Sequence, residues 1–397
     1  MAENDDHERA VRLILLLSRV EFLDDEKRQI VAGVSKFSGW KLFTILAIRH
    51  GVAALIWQNI RDLSLEDKVP EPERIILEGL RVKSIARVAY ISSVADGVAK
   101  MLEEEGIRVV LLKGLALEHM VYGSRGLRQM SDADLLVAPG NALRARDILV
   151  REGFISMPMK SPIYRHIVLD LGNHLPELHR GGVSVDLHYR LFGPGSEEMV
   201  NRAVEESEEI TEGGTVLYVL APLTAFLGLV SHIRKHEVKG EFQLRLWSDI
   251  YLLLKKYGGR IINDTLPAAA EQAGISREVR AVMTIMEQVW GLQIPSVMRA
   301  LPGSDEERRA GRFMHELMYP GSVMPVSQRA MFTSNIRSMN SFRKKMIFIL
   351  GDIFPSVDFM KRRYGCRSTL LALLYYPHRL GKLAWLLGLP AAKSQND

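Results

Sequence analysis

The chain has 397 residues, 47% of them apolar, with a formal net charge of +5 and one cysteine. That is enough apolar sequence for more than one packed core, while the lone Cys366 excludes an intrachain disulfide framework and a cysteine-built zinc site and fits a reducing, cytoplasmic setting. No run approaches the ~20 apolar residues of a membrane-spanning helix, and the acidic opening (Met-Ala-Glu-Asn-Asp-Asp) lacks the basic leader of a secretory signal.

In chain order, the 3.6-residue apolar period predicts helices over 8–20 and 25–37, then a well-buried helical stretch over 40–60 broken near Gly51. Pro70 and Pro72 punctuate the chain before a long helix over 73–105, which Gly106 ends. A short apolar strand over 109–112 follows, with a turn at Lys113-Gly114 and a helix-like segment after it. Apolar sequence re-enters at Leu135, Leu136 and Val137, led by Asp132 and Asp134. Strand positions two apart share a face, so the two carboxylates stand side by side at the strand's leading end, with Ala133, Leu135 and Val137 turned into the core. A helix over 142–152 and strand-like pieces over 167–169, 175–179 and 183–189 come next. In the last piece, alternation sets Ser184, Asp186 and His188 on one face and Val183, Val185 and Leu187 on the other, so a third acid lies on a half-buried strand. Past Pro194-Gly195 the pattern turns helical and stays largely so.

Charge is unevenly placed. From Arg329 onward twelve Lys and Arg oppose three Asp, a local charge of +9 that leaves the rest of the chain at −4. Basic clusters alternate there with apolar ones, which suits helices that pack on the core and expose Lys and Arg; peripheral contact with a membrane surface is the other reading. The tail aromatics Phe342, Phe348 and Tyr364 lack a spacing that marks base stacking, so a nucleic-acid partner is not expected.

Two adjacent carboxylates repel and stay ionised together only around a cation, and hard oxygen ligands suit Mg2+ or Mn2+. Asp132 and Asp134 before one strand, Asp186 on the polar face of another, and a Lys-Gly turn after a third are together the parts of a two-metal phosphoryl-transfer site. Arg128 reads either as a clamp on a triphosphate or as the partner of a nearby carboxylate. His188 reads as a metal or acceptor contact, or as a hydrogen-bonded strand histidine. His232 and His236 have the i, i+4 spacing of a helical zinc pair, but Ile233 stands where a zinc protease has its glutamate, which assigns them instead to the lining of a cleft. Arg245 and Asp249, also four apart, read as a helix-surface ion pair. Neither a P-loop nor a G-x-G-x-x-G fingerprint occurs, so kinase-like and Rossmann readings lack their main part.

The set L-L-K-G (111–114), Tyr122-Gly123, L-R-Q-M-S-D-A-D-L-L-V (127–137) and V-D-L-H-Y (185–189) resembles the uncharacterised bacterial nucleotidyltransferase family, a branch of the polymerase-beta-like superfamily. W-K-L at Trp40, H-G-V at His50, His232, His236, the L-W-S-D-I stretch with Asp249 and I-F-P-S around Pro355 extend the likeness over most of the chain. The resemblance implies transfer of a nucleoside monophosphate from an NTP, ATP first among them, to an acceptor hydroxyl or phosphate. It implies Asp132, Asp134 and Asp186 as catalytic metal ligands for Mg2+ or Mn2+, with Lys113, Gly114, Arg128, Ser131, His188 and His232 around the nucleotide. One departure stands out: the superfamily's Gly-Ser or Gly-Gly after the first strand is here Lys113-Gly114-Leu115, where Lys113 can supply a point charge to phosphate. Relatives associated with peptide natural-product and cell-surface polysaccharide pathways point to a small-molecule, sugar or peptide acceptor. The expected architecture is α+β, a small mixed-sheet core over 99–212 between an N-terminal helical segment (1–98) and a C-terminal helical domain with the basic tail (213–397). The alternative reading is a catalytically silent binding or scaffold protein on the same fold, presenting a peptide or carrier partner.

Overall fold

The computed structural model describes residues 2–123, 125–212, 215–295, 306–319, 326–379 and 381. Four helices come first: α1 (Ala2–Leu17), α2 (Asp24–Ser35), α3 (Trp40–Arg49) and α4 (Ala53–Asp62), the last two parted at Gly51 as its position suggests. α5 (Glu71–Glu103) follows with Pro72 in its first turn. Its 33 residues bury Leu77, Ser84, Val88, Ile91, Ala95, Val98 and Leu102, a stripe at three- and four-residue steps that lays one face of a rod about 50 Å long against the core.

Seven strands then build one mixed sheet with α6 (Lys113–Met120), α7 (Ala142–Arg151) and α8 (Glu197–Glu205) between them. They are β1 (Val110–Leu111), β2 (Asp132–Leu136), β3 (Ile155–Ser156), β4 (Leu178–Arg180), β5 (Val183–His188), β6 (Glu208–Glu212) and β7 (Thr215–Val219), in the order β3-β4-β5-β2-β1-β7-β6. β2 runs parallel to β5, in a register that sets Asp132 beside Ser184 and Asp134 beside Asp186. β1 is antiparallel to β2 and parallel to β7.

The remaining described helices are α9 (Pro222–Val238), α10 (Leu244–Ile261), α11 (Leu266–Gln272), α12 (Ser276–Trp290), α13 (Glu306–Met318), α14 (Gln328–Ser338), α15 (Phe342–Ile353), α16 (Val357–Tyr364) and α17 (Thr369–Leu373). One continuous apolar core runs from Ala10 in α1 to Leu317 in α13, so the N-terminal helices, the sheet and the helices after it share their buried surface. A smaller cluster joins Tyr164 and Ile167 to Phe332, Met339, Phe348 and Ile353, docking α14 and α15 on the segment between β3 and β4. Among the described residues no helix is long and apolar enough to cross a membrane.

The architecture is α+β, as expected, with two local differences. In place of the strand expected over 167–169, Ile167 joins two 3-10 turns, Pro162–His166 and Val168–Asp170, and Tyr164 and Ile167 are drawn into the smaller cluster. The stretch read as helical after Gly195 contains the hairpin β6–β7, and the boundary expected at 212 falls inside it; β7 completes the sheet beside β1. Of the basic tail, the residues beyond 381 lie outside the described ones.

Candidate active site

β2 and β5 carry acids on the same sheet face because their apolar positions alternate inward: Ala133, Leu135, Val183, Val185 and Leu187 are fully buried. Parallel pairing then brings Asp134 and Asp186 side by side, with His188 two residues farther along β5. Asp134, Asp186 and His188 each present a ligand atom, and the three atoms lie within 4.8 Å of one another. Asp132 stands outside this group at the mouth of the strand, half-buried, where it accepts a hydrogen bond from Ser131 Oγ at 3.2 Å. His188, expected around the nucleotide, belongs to this group, and Asp132 is not among its three members.

A lysine closes the group. Lys113 opens α6 in the left-handed backbone region (φ +46°), where residues other than glycine rarely sit. Its Nζ donates to Asp134 Oδ1 at 2.5 Å and lies 3.4 Å from His188 Nε2, which itself bonds the same oxygen at 2.7 Å. Burial alone would raise the Asp134 carboxyl, but the Lys113 ammonium and the His188 bond hold it well below the usual carboxylate range. Asp186 goes the other way: burial pushes it up to about 6, and the charges of Asp134 and Asp132 add to the rise against the pull of His174. Its Oδ1 is buried with no hydrogen-bond partner. Burial and Lys113 bring His188 down to about 4, so the ring is neutral at pH 7 and its Nε2 proton faces Asp134.

These features test the fit of a divalent cation. Two carboxylates and an imidazole form a hard, mixed oxygen and nitrogen donor set, and the unpartnered Asp186 oxygen is compatible with a ligand position. As a ligand, His188 presents a lone pair at Nε2 and carries its proton on Nδ1.

The loop from α6 to β2 is pinned from several sides. Buried Glu118 accepts from the amides of Gly126 (2.6 Å) and Arg128 (3.1 Å), Ser84 of α5 donates to the Gly126 carbonyl, and Arg87 donates to the Ser131 carbonyl at 2.6 Å. Arg128 is the partner of a carboxylate, Asp249 of α10, which it holds through Nη2 at 2.8 Å and Nε at 3.4 Å; Tyr122 Oη donates to Asp249 Oδ1 at 2.8 Å. Asp249 is wholly buried, so the expected surface pair with Arg245 does not form; Arg245 donates instead to the Gln129 carbonyl and to Gln243. The Arg128 guanidinium also explains Gly114: a Cβ there would come within 2.8 Å of Nη1.

A narrow cleft opens between α6, the ends of β1 and β5, and α9. Its polar groups are Lys113, His188, Arg190, His232 and Lys235, and the rest of the lining is mostly aliphatic. Burial and Lys113 bring His232 down to about 2. Its Nε2 lies 3.2 Å from His236 Nε2, and His236 Nδ1 bonds Glu241 at 2.7 Å. The expected site residues therefore fall into four places: Lys113, Asp134, Asp186 and His188 in one cluster, His232 across the cleft from Lys113, Gly114 with Arg128 behind the turn, and an outer edge. Asp132 and Ser131 form the outer edge. Glu118, Arg190 and Lys235 were not singled out beforehand; of these, only Glu118, an acid within the apolar stretch Leu115 to Met120, carries a signal in the sequence.

The sequence pattern of a family described as uncharacterised nucleotidyltransferase matches residues 37–291, which include every one of these groups. The chain belongs to this family. It is a nucleotidyltransferase, and a nucleoside triphosphate is the substrate that membership implies. None of the curated proteins compared matches it.

Proposed function

We propose that the chain transfers a nucleoside monophosphate from an NTP, ATP first among donors, to a hydroxyl or phosphate acceptor, using Mg2+ or Mn2+ held by Asp134, Asp186 and His188 with Asp132 at the edge. The observation that carries this reading is the in-register pair Asp134 and Asp186, one buried oxygen of which has no partner, beside a strand–turn–helix junction that carries Lys113. When bound, the metal supplies Lewis-acid stabilisation of charge on the transferring phosphoryl group. The remaining roles belong to the chain. The first-turn amides of α6 lack intrahelical acceptors and, with the Lys113 charge, suit the phosphates. Asp186, raised by its surroundings, is placed to take the proton of the attacking hydroxyl as the new O–P bond forms and pyrophosphate leaves. Gly114, Arg128 and Ser131 hold the turn and strand mouth; His232 faces the donor or acceptor across the cleft.

The acceptor on this reading is a small molecule, sugar or peptide, with natural-product assembly in a cytoplasmic setting as the context. Peripheral contact with an anionic bilayer belongs to the same proposal, since exposed Phe342, Leu370 and Leu374 share the C-terminal helices and their connections with exposed Arg343, Arg362 and Arg367; co-pelleting with anionic but not neutral vesicles tests it. The donor and metal are tested by melting curves with ATP, GTP, CTP and UTP, each with and without Mg2+, on the wild type, Asp134→Asn and Asp132→Asn. A ligand that binds only the native state raises the melting temperature. A Mg2+-dependent rise for one NTP, lost in Asp134→Asn, is expected; no rise with any nucleotide would move the reading to a silent scaffold.

A further inference from the structure

We infer that Lys113 is a resident cation of the carboxylate site, which a divalent ion must displace, so that metal binds tightly only when a nucleotide's phosphates are present to take up the ammonium. This rests on the nucleotidyltransferase reading and concerns the regulation of the same site.

The ligand atoms of Asp134, Asp186 and His188 lie within 4.8 Å of one another, and Lys113 Nζ is 2.5 Å from one of them and 3.4 Å from another. Lys113 Nζ thus takes up ligand directions of Asp134 and His188 that an ion bound there would need. An ammonium and a divalent ion a few ångströms apart in a buried site repel strongly, and the repulsion is far larger there than in water. Asp134, which the ion needs as a ligand, is already neutralised by its salt bridge.

The chain also keeps a lysine at a costly position. At φ +46° a glycine would sit without strain, yet this position carries a side chain that reaches Asp134 from the end of β1. The same side chain lines the cleft with Arg190, His232 and Lys235. Its four-carbon stem lets the ammonium turn from Asp134 toward an anion in that cleft. Phosphate oxygens would serve both cations at once, as partners for Lys113 and as extra ligands for the ion. Metal and nucleotide then bind with positive coupling, and the site stays closed to free divalent ions.

The experiment is water-proton relaxation on the full chain, with Mn2+ alone and with Mn2+ plus each of the four NTPs, for the wild type, Lys113→Met and Lys113→Arg. The wild type and Lys113→Arg should bind Mn2+ weakly alone, and the wild type should form a strongly enhanced ternary complex with one NTP. Lys113→Met, whose Asp134 has lost its ammonium, should bind Mn2+ alone at least about tenfold more tightly. Equal Mn2+ affinity of the wild type and Lys113→Met overturns the inference and leaves the nucleotide site standing. Should Lys113→Met fail to fold, tight binding of Mn2+ alone by the wild type overturns it equally. Absence of any ternary complex, with no Mn2+ bound by any variant, overturns the nucleotidyltransferase site and this inference with it.

Discussion

Removing the Asp249 carboxylate is the sharpest test of how the loop before β2 is held. Asp249→Ala deletes three bonds at once: two from Arg128, at 2.8 and 3.4 Å, and one from Tyr122, at 2.8 Å. The Asp249 side chain is fully buried and that of Arg128 is 6% exposed, so the guanidinium is left without its charge partner inside the protein. Breaking such a pair from one side costs about 3–5 kcal/mol; an orphaned tyrosine hydroxyl adds about 1 kcal/mol. The expected loss is therefore about 4–6 kcal/mol. With a urea m-value of about 3 kcal/mol/M the unfolding midpoint falls by ~1.5 M. The double variant Arg128→Met/Asp249→Leu should lose much less than the two single changes summed, because it leaves no unpaired charge. A loss under about 1 kcal/mol in Asp249→Ala, or strict additivity in the cycle, would refute the account of Arg128 as an anchor rather than a phosphate clamp.

Other outcomes follow from the same geometry. Gly114→Ala places a methyl within 2.8 Å of Arg128 Nη1, so either the turn or the guanidinium shifts; nucleotide-dependent melting shifts should shrink with only a modest change in unliganded stability. Asp186 has its folded pKa raised to about 6 from the usual 3.8, so its cost is absent below that lower value, grows as pH rises toward 6 and is complete above it. Asp186→Asn should thus stabilise the unliganded protein by up to ~3 kcal/mol at pH 8 while abolishing any Mg2+-NTP shift, and equal stability of the two proteins at pH 8 would count against it. His50, fully buried with its Nε2 on the Leu317 carbonyl, is lowered by burial to about 4. Its folded form binds fewer protons than the unfolded chain, so stability is full above pH 6.5 and falls by up to ~3 kcal/mol as pH drops to 4; His50→Gln should flatten that window in urea melts. Gly351→Ala drives a methyl into the Tyr164 ring, within 2.1 Å of one ring carbon, and should release residues 326–379 to proteolysis while the main transition holds.

How far the sequence disclosed the site depends on whether a contact is local. Alternation along 183–189 was enough to set Asp186 and His188 on one face, and the two-residue step of Asp132 and Asp134 did the same for β2. Which residue of β5 stands beside which residue of β2 is a matter of register, which sets Asp186 beside Asp134 and Ser184 beside Asp132. The Arg128 and Asp249 pair joins positions 121 apart in the chain, so the four-residue spacing of Arg245 and Asp249 offered a nearer and wrong partner. The hairpin β6–β7 was hidden in a different way. Its first strand, Glu-Glu-Ile-Thr-Glu, has the charge of an exposed helix, and only Thr215 to Val219 shows strand-forming residues. Lys113 was legible as a charge near a turn; its ion pair with Asp134 was not, because nothing local announces a left-handed lysine.

The parallel pairing of β2 with β5 works as a ruler. The separation of Asp134 and Asp186 is fixed by the spacing between neighbouring strands, not by the chain that connects them. That connection, over 137–182, holds α7, strands β3 and β4 and the segment on which α14 and α15 dock, and it can lengthen, shorten or change partners without altering the distance between the two acids. A slip of a single residue within either strand is another matter, since it would turn one acid toward the apolar side. Evolution on this scaffold is thereby divided: insertions are free to reshape what the protein docks against, while the chemistry can be lost in one step.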